Sequence, residues 1–355
     1  MCPQPRKPGT DTVGHVDTPA RTAPVTDRLR RPLHDLRVSV TDRCNMRCRY
    51  CMPREVFGPD HAFLERSELL SFEEITRVVD AATRLGVTKV RLTGGEPLLR
   101  RDVSTLVRQL ADLGALDDLA LTTNGVLLPR FAAPLREAGL SRVTVSLDAL
   151  DDETFRAVTD APWAPEQVIT GMDAAEAAGF PKVKVNAVVR KGVNEHAITD
   201  LAAFGRDTGR TVRFIEFMDV GTTNGWDRAA VVTADDVLAV VGEQWPVEPI
   251  DGPPGVAERY RYVDGGGEVG VVASVTRAFC RTCVRARLSA VGELFTCLFA
   301  GSGHDLLPQV RAGADVDQLE AALRGIWEHR ADRYSLDRAE GRGGGDRVEM
   351  SYIGG

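Results

Sequence analysis

Six of the seven cysteines in this 355-residue chain fall into two triads. Cys44, Cys48 and Cys51 form a C-x3-C-x2-C run, and Cys280 and Cys283 form a C-x2-C pair followed after thirteen residues by Cys297. Iron–sulfur clusters are held mainly by cysteine thiolates. A four-iron, four-sulfur cube anchored by only three of them keeps one iron without a protein ligand. An open coordination position is what lets a metal bind and act on a small molecule. The two triads therefore predict two such positions with different occupants.

Zinc competes for cysteine-rich loops but wants a fourth ligand. Near the first triad the candidates are His34 and His61, neither at finger-like spacing. His304 lies seven residues past Cys297 and would complete a Cys3His set, so spacing alone leaves zinc open at the second triad. Disulfides are the weaker reading for clustered cysteines in a chain with no secretory signal. Cys2 stands apart and reads as an exposed thiol without a role.

The bulk properties exclude several classes. A net charge of −7 with both signs interspersed argues against a general nucleic-acid or membrane-surface binder, and leaves room for a local basic pocket. No stretch approaches the roughly 20 apolar residues of a membrane span. No apolar signal core opens the chain, so the expected location is the cytoplasm.

The elements that must position the cysteines alternate. Strands are expected at 36–41, 89–93, 119–123, 142–147, 183–189 and 212–217. Helices are expected at 73–86, 103–113, 131–138, 166–178, 196–207 and 235–244, with apolar residues at helical spacing. Strands separated by helices mean βαβ units and a parallel sheet. Six units are too few for the usual eight-stranded closed barrel, so the fold class is α/β, an incomplete (β/α)6 TIM-like barrel with a C-terminal α+β extension. Hairpins are expected around Gly265–Gly267 and Gly292, and a helix at 316–328. Residues 1–33 read as a flexible tail, 34–248 as the barrel with the first triad, and 249–355 as a C-terminal domain with the second. Residues 338–346, rich in glycine and charge, read as mobile.

The first triad at the end of the first strand, with Tyr50 just before its third cysteine, resembles the radical S-adenosylmethionine superfamily. The turn Gly94, Gly95, Glu96, Pro97 after the second strand strengthens the resemblance, since alone it is only a turn signal. The second triad narrows it. With Arg37 and Asp42 around the first strand, Arg91 to Pro97, Thr122 to Gly125, Val145 to Asp148, Lys182 to Asn186, Arg213 to Met218, and Ser351 to Gly355, it is similar to the GTP 3′,8-cyclase family, also called molybdenum cofactor biosynthesis protein A.

What the resemblance implies is specific. Cys44, Cys48 and Cys51 would hold one four-iron cluster whose open iron chelates S-adenosylmethionine, and Cys280, Cys283 and Cys297 a second that meets the guanine base. Tyr50, Gly95, Ser146 and Met218 would hold S-adenosylmethionine; read alone, Ser146 and Met218 are a strand-end hydroxyl and a core methionine. Arg37, Arg91, Thr122, Lys184, Arg285, Ala286 and Arg287 would hold GTP, guanidinium forks being suited to phosphate. Arg285, Arg287, Gly354 and Gly355 would take part in turnover, the di-glycine tail threading a crowded cavity. A 5′-deoxyadenosyl radical would take hydrogen from ribose C3′, and the sugar radical would close on guanine C8. The implied partners are GTP, an electron donor such as flavodoxin or ferredoxin, and the cyclic pyranopterin monophosphate synthase that receives the product, with a homodimer as the family's frequent assembly. Val284 departs from the family's usual asparagine, which removes a side-chain hydrogen bond there. Two other classes stay open: a peptide-maturase type of radical enzyme with an auxiliary cluster, and a non-catalytic iron–sulfur or zinc protein.

Overall fold

Along 35–39, 89–93 and 142–146 apolar residues alternate with polar or charged ones, and the pleat sends the two sets to opposite faces. The computed structural model, which describes residues 24–252, 255–342, 345 and 347–354, contains β1 (Asp35–Ser39), β2 (Lys89–Thr93), β3 (Asp118–Thr123), β4 (Arg142–Ser146), β5 (Lys184–Val189) and β6 (Val212–Glu216). They pair in parallel in chain order. The apolar set, Leu36 and Val38, Val90 and Leu92, Leu119 and Leu121, Val143 and Val145, is buried in one core with the helices. These are α1 (Phe72–Arg84), α2 (Val103–Asp112), α3 (Leu128–Glu137), α4 (Asp152–Thr159), α5 (Pro165–Ala177), α6 (Ile198–Thr208) and α7 (Ala234–Gln244). Burial of each such aliphatic side chain stabilises the fold by about 1.5–3 kcal/mol.

The extension is woven into the same sheet. It supplies β7 (Val247–Pro249), β8 (Glu258–Tyr262), β9 (Glu268–Val272), β10 (Arg285–Leu288), β11 (Glu293–Phe295) and β12 (His304–Asp305), with α8 (Leu307–Arg311), α9 (Val316–His329), α10 (Tyr334–Ala339) and α11 (Met350–Ile353). The twelve strands run β12-β11-β10-β1-β2-β3-β4-β5-β6-β9-β8-β7. β10 is parallel to β1 and β9 is parallel to β6, so each edge of the six-stranded barrel gains one parallel neighbour. β9 and β10 do not pair, and the chain between them, which contains Cys280 and Cys283, passes from one edge of the barrel to the other.

Three differences from the sequence reading have physical reasons. α4 is absent from the expected elements because its eight residues are too few to display an apolar period; its signal is the cap, Asp151 accepting from Thr154 N at 2.8 Å with Asp152 and Glu153 in the first turn. Residues 24–33, expected to be part of the tail, are packed: Val25, Asp27, Arg31 and Leu33 are buried, Leu33 N donates to Val25 O, and Val25 N donates to Leu85 O. Residues 1–23, including Cys2, lie outside the described residues. Arg338, expected to be mobile, is fixed by the buried Asp219 carboxylate and by a 3.0 Å bond to Ser274 O, so a charge that suggests solvent is here half of an internal ion pair. Residues 343, 344 and 346 of that stretch lie outside the described residues.

The turn after β3 sits against α5 with no room to spare. A Cβ on Gly171 would lie 2.1 Å from the Gly125 carbonyl oxygen, a backbone atom. Gly171→Ala should cost about 1–3 kcal/mol, seen as a lowered thermal unfolding midpoint with the far-UV circular dichroism spectrum retained.

Candidate functional site

The inward set of strand residues surrounds a cavity of about 470 Å3. In a closed barrel of this kind the interior is packed with branched apolar side chains; here it is charged. Arg287, Arg37 and Arg91 are Cα partners on β10, β1 and β2, a row of guanidinium groups in register across adjacent strands. Lys184 on β5, Arg213 on β6 and Arg285 on β10 line the same cavity. Like charges directly opposite one another on a sheet are destabilising. Burial, then the charges of Arg285 and Arg91, bring the Arg37 pKa down to about 9. Burial and Arg142 lower Arg91 and Arg213 to about 10 each. Arg287 is driven well down by burial, then by Arg37 and Arg285.

The carboxylates that line the cavity relieve this only in part: Asp35 favours the charged forms of Arg37 and Arg91. Glu96 accepts from Leu98 N, Thr123 Oγ1 and Asn124 N. Glu216 accepts from Ala234 N, Val275 N and Thr276 N. Asp148 accepts from Tyr50 Oη at 2.8 Å and Val188 N at 2.8 Å. Burial raises Glu96 to about 7 and Asp148 to about 6. Arg37 Nε and Arg213 Nε are buried without a hydrogen-bond partner. Thr122 accepts from Arg91 Nη1 at 2.9 Å, which leaves its own proton to donate. Such a pocket fits a ligand carrying several negative charges.

The first triad lies at the C-terminal ends of the strands. Cys44, Cys48 and Cys51 are free thiols that line the cavity beside Tyr50, Gly95, Ser146 and Met218. The loop is held by Cys51 N and Met52 N on Cys48 O, by Arg47 Nη1 on Cys44 O at 2.8 Å, and by Arg47 N on Thr159 O at the end of α4. The turn after β2 runs alongside it, with Gly95 N on Thr41 O and Glu96 N on Arg43 O, both 2.8 Å. A Cβ on Gly95 would stand 2.4 Å from Arg43 O, which is why glycine occupies this close passage. Burial, then Glu96, raises the Cys44 thiol to about 11; burial also pushes up Cys48 and Cys51. Thiols so placed ionise when a metal takes the proton's place.

The second triad lies at the other end. Cys283 is two residues ahead of Arg285, which pairs with Asp35, the first residue of β1. Cys280, Cys283 and Cys297 are free thiols lining the same cavity. The strands between the triads are about five residues long, roughly 16 Å at 3.3 Å per residue. Burial raises Cys297 to about 12; it opposes ionisation of Cys283 too, yet Arg285 and Arg330 bring that thiol to about 7. Among the described residues no three His, Cys, Asp or Glu side chains converge closely enough for a single ion. Three thiolates on one zinc share an atom about 2.3 Å from each sulfur, whereas on a four-iron cube each sulfur reaches its own iron and the sulfurs stand further apart. His304 is exposed on β12 and does not line the cavity. Each set offers three cysteine thiols, the donor type that iron–sulfur clusters take.

The chain's end reaches the cationic row. Gly354, at φ +70°, places its carbonyl on Arg287 Nη1, and a Cβ there would meet Thr93 Oγ1 at 2.0 Å. Gly355 lies outside the described residues. Upstream, Asp219 accepts from Tyr334 Oη at 2.7 Å and Arg347 Nη1 at 3.0 Å, and Glu349 accepts from Thr222 N, Thr222 Oγ1 and Thr223 Oγ1 at 2.8–3.0 Å. Of the described sequence-predicted residues, Ala286 and Gly354 are not on the cavity lining: the Ala286 side chain is buried in the core on the opposite face of β10, and Gly354 meets the site through Arg287. Arg213, Asp148 and Glu96 are cavity residues that the expected site set lacks. Arg213 had a signal, an inward position between Asn186 and Gly270 in register, where a Cβ on Gly270 would lie 2.9 Å from Arg213 Cγ. Glu349→Ala, which removes a charged acceptor contributing about 1.5–3 kcal/mol, should speed amide exchange over Met350–Ile353 about 10- to 100-fold while β1 to β6 keep their protection, measured by hydrogen–deuterium exchange.

Comparison with known proteins agrees with this geometry. Residues 38–205 match the Radical SAM superfamily model, and residues 210–336 match Molybdenum Cofactor Synthesis C. A GTP 3′,8-cyclase of Acidothermus cellulolyticus is 55% identical, covering 94% of this chain and all of that one. Those of Xanthomonas axonopodis pv. citri and Staphylococcus carnosus are 49% and 44% identical over 94% and 93% of this chain, and 100% and 99% of theirs. In fold the chain is similar to Streptococcus suis SuiB bound to S-adenosylmethionine, with a TM-score of 0.59 at 15% identity over 83% of this chain and 68% of SuiB. With two matching family models end to end and relatives of this identity along nearly its whole length, the chain belongs to the GTP 3′,8-cyclase family of the radical SAM superfamily.

Proposed function

We propose that this protein converts GTP to 3′,8-cyclo-7,8-dihydro-GTP, the first step of molybdenum cofactor biosynthesis, in the cavity between the two cysteine triads. The observation that carries the reading is a buried set of guanidinium groups, two of them with an unpartnered Nε, bounded at both ends by three free thiols. Membership in the radical SAM superfamily brings a four-iron cluster and S-adenosylmethionine, which together supply the one-electron cleavage that starts radical chemistry. Cys44, Cys48 and Cys51 would hold that cluster, and Cys280, Cys283 and Cys297 a second that takes the guanine end of the substrate.

The chain's own residues do the positioning. Tyr50, Gly95, Ser146 and Met218 hold S-adenosylmethionine at the C-terminal ends of the strands. Arg37, Arg91, Lys184, Arg213, Arg285 and Arg287 take the triphosphate, with Thr122 oriented by Arg91 to donate a hydroxyl proton. Ala286 contributes by holding β10 in register with Leu36, so that the arginines on either side face inward. Fixing the ribose between the radical source and the base turns an improbable encounter into an intramolecular one. The tail at Gly354 covers Arg287 and keeps solvent from a reactive intermediate. A flavodoxin or ferredoxin would supply the electron in the cytoplasm, and a cyclic pyranopterin monophosphate synthase would take the product.

Anaerobic incubation of reconstituted protein with dithionite, S-adenosylmethionine and GTP should give the cyclised nucleotide by mass spectrometry. Cys44→Ser should abolish S-adenosylmethionine cleavage, whereas Cys297→Ser should keep uncoupled cleavage and lose GTP conversion. Unchanged cleavage in the Cys44 variant would refute the assignment of that loop. Arg213→Ala, losing about 1.5–3 kcal/mol of charge-assisted contact, should weaken GTP binding about 10- to 100-fold and leave S-adenosylmethionine binding unchanged.

A further inference from the structure

The segment ahead of β1 has a place that the reaction does not by itself assign. Asp27, Arg31 and Arg330 are buried together, with side chains at most 1% exposed. Asp27 Oδ2 is 2.5 Å from Arg31 Nε and 3.5 Å from Arg330 Nη1, so one carboxylate faces two guanidinium groups. Asp27 Oδ1 is taken by Leu29 N and Arg31 N. Trp327 Nε1 donates to Arg31 O at 3.0 Å, and the Arg330 guanidinium lies over the Trp327 ring.

Both guanidinium groups point at the second triad. Arg31 Nη1 donates to Cys280 O at 2.8 Å and Asp332 O at 2.7 Å. Arg330 Nη1 donates to Cys283 O at 2.8 Å, and Arg330 Nη2 lies 3.4 Å from Cys283 Sγ. Arg330 Nε reaches the partly exposed Asp332 at 3.3 Å. Arg31 Nη2 is buried with no partner. A buried cation shared with half a counter-ion is costly unless another negative group lies beside it. A cube held by three thiolates is such a group.

We propose that Asp27, Arg31 and Arg330 form the outer shell of the second iron–sulfur site, and that Arg330 is a positioning residue that holds Cys283 and sets the site's reduction potential. Hydrogen bonds to the sulfurs and nearby charge are among the means by which a protein tunes such potentials. A cation at Cys283 Sγ stabilises the reduced, more negative form, and Asp27 moderates that cation. The inference rests on the proposed second cluster.

The test uses the full chain with Cys44, Cys48 and Cys51 replaced by serine, so that any remaining cluster is the second one. Its midpoint potential is read by redox titration followed by electron paramagnetic resonance, with iron content measured alongside. Arg330→Gln should shift the potential to lower values, and Asp27→Asn, which leaves both cations less neutralised, should shift it to higher values. Opposite shifts are something a purely structural role would not produce. Retained iron with an unmoved potential in either variant, or shifts of the same sign, would overturn the proposal. If Arg330→Gln fails to fold, the sign of the Asp27→Asn shift decides alone. Absence of iron from the triple-serine parent would remove the two-cluster reading, and this proposal with it.

Discussion

Repulsion within the row formed by Arg287, Arg37 and Arg91 is the constraint that orders the rest of this structure. Parallel pairing of β10 with β1 and of β1 with β2 puts the three side chains in one register, facing inward, where water is scarce. The cost is carried by the apolar set on the opposite face of the same strands, whose burial against the helices fixes the register that brings the charges together. Asp35 offsets part of the repulsion, Glu96, Asp148 and Glu216 are committed to backbone and hydroxyl donors, and the rest of the balance is left to a ligand. A fold that needs a polyanion in order to relax its own interior has its substrate class written into its electrostatics.

The two ends of the cavity divide the work. At the C-terminal ends of the strands a thiol triad sits in a loop pinned by α4 and by the glycine turn after β2. At the opposite end the crossing chain between β9 and β10 brings two cysteines beneath the row, and β11 returns the third. The terminal segment, latched by Asp219 and Glu349, delivers Gly354 to Arg287 between the two ends. Each part is positioned by a different piece of the chain, and all converge on the guanidinium groups.

Much of this was legible in the sequence for physical reasons. Period-two alternation in 89–93 reports a strand with one polar face, and the cysteine spacings report two donor sets. What was not legible depends on partners distant in sequence. Arg213 stands in the sequence as part of a family signature with no role attached, and its place in the cavity shows only in register with Gly270 on β9, which vacates the space it fills. Asp27 and Arg31 read as tail because their neighbours, Trp327 and Arg330, lie some three hundred residues away. Ala286 is expected from the resemblance to contact GTP, and the strand's alternation turns its side chain to the core. α4 was too short to show a period and carried only its cap.

A cationic row built for a polyphosphate must discriminate among GTP, GDP, GMP and guanosine, which titration calorimetry on the reconstituted protein measures. Affinity should fall by about tenfold or more, roughly 1.4 kcal/mol, with each phosphate removed, and the steps should shrink as salt is raised. Guanosine binding as tightly as GTP, with no dependence on salt, would contradict that design.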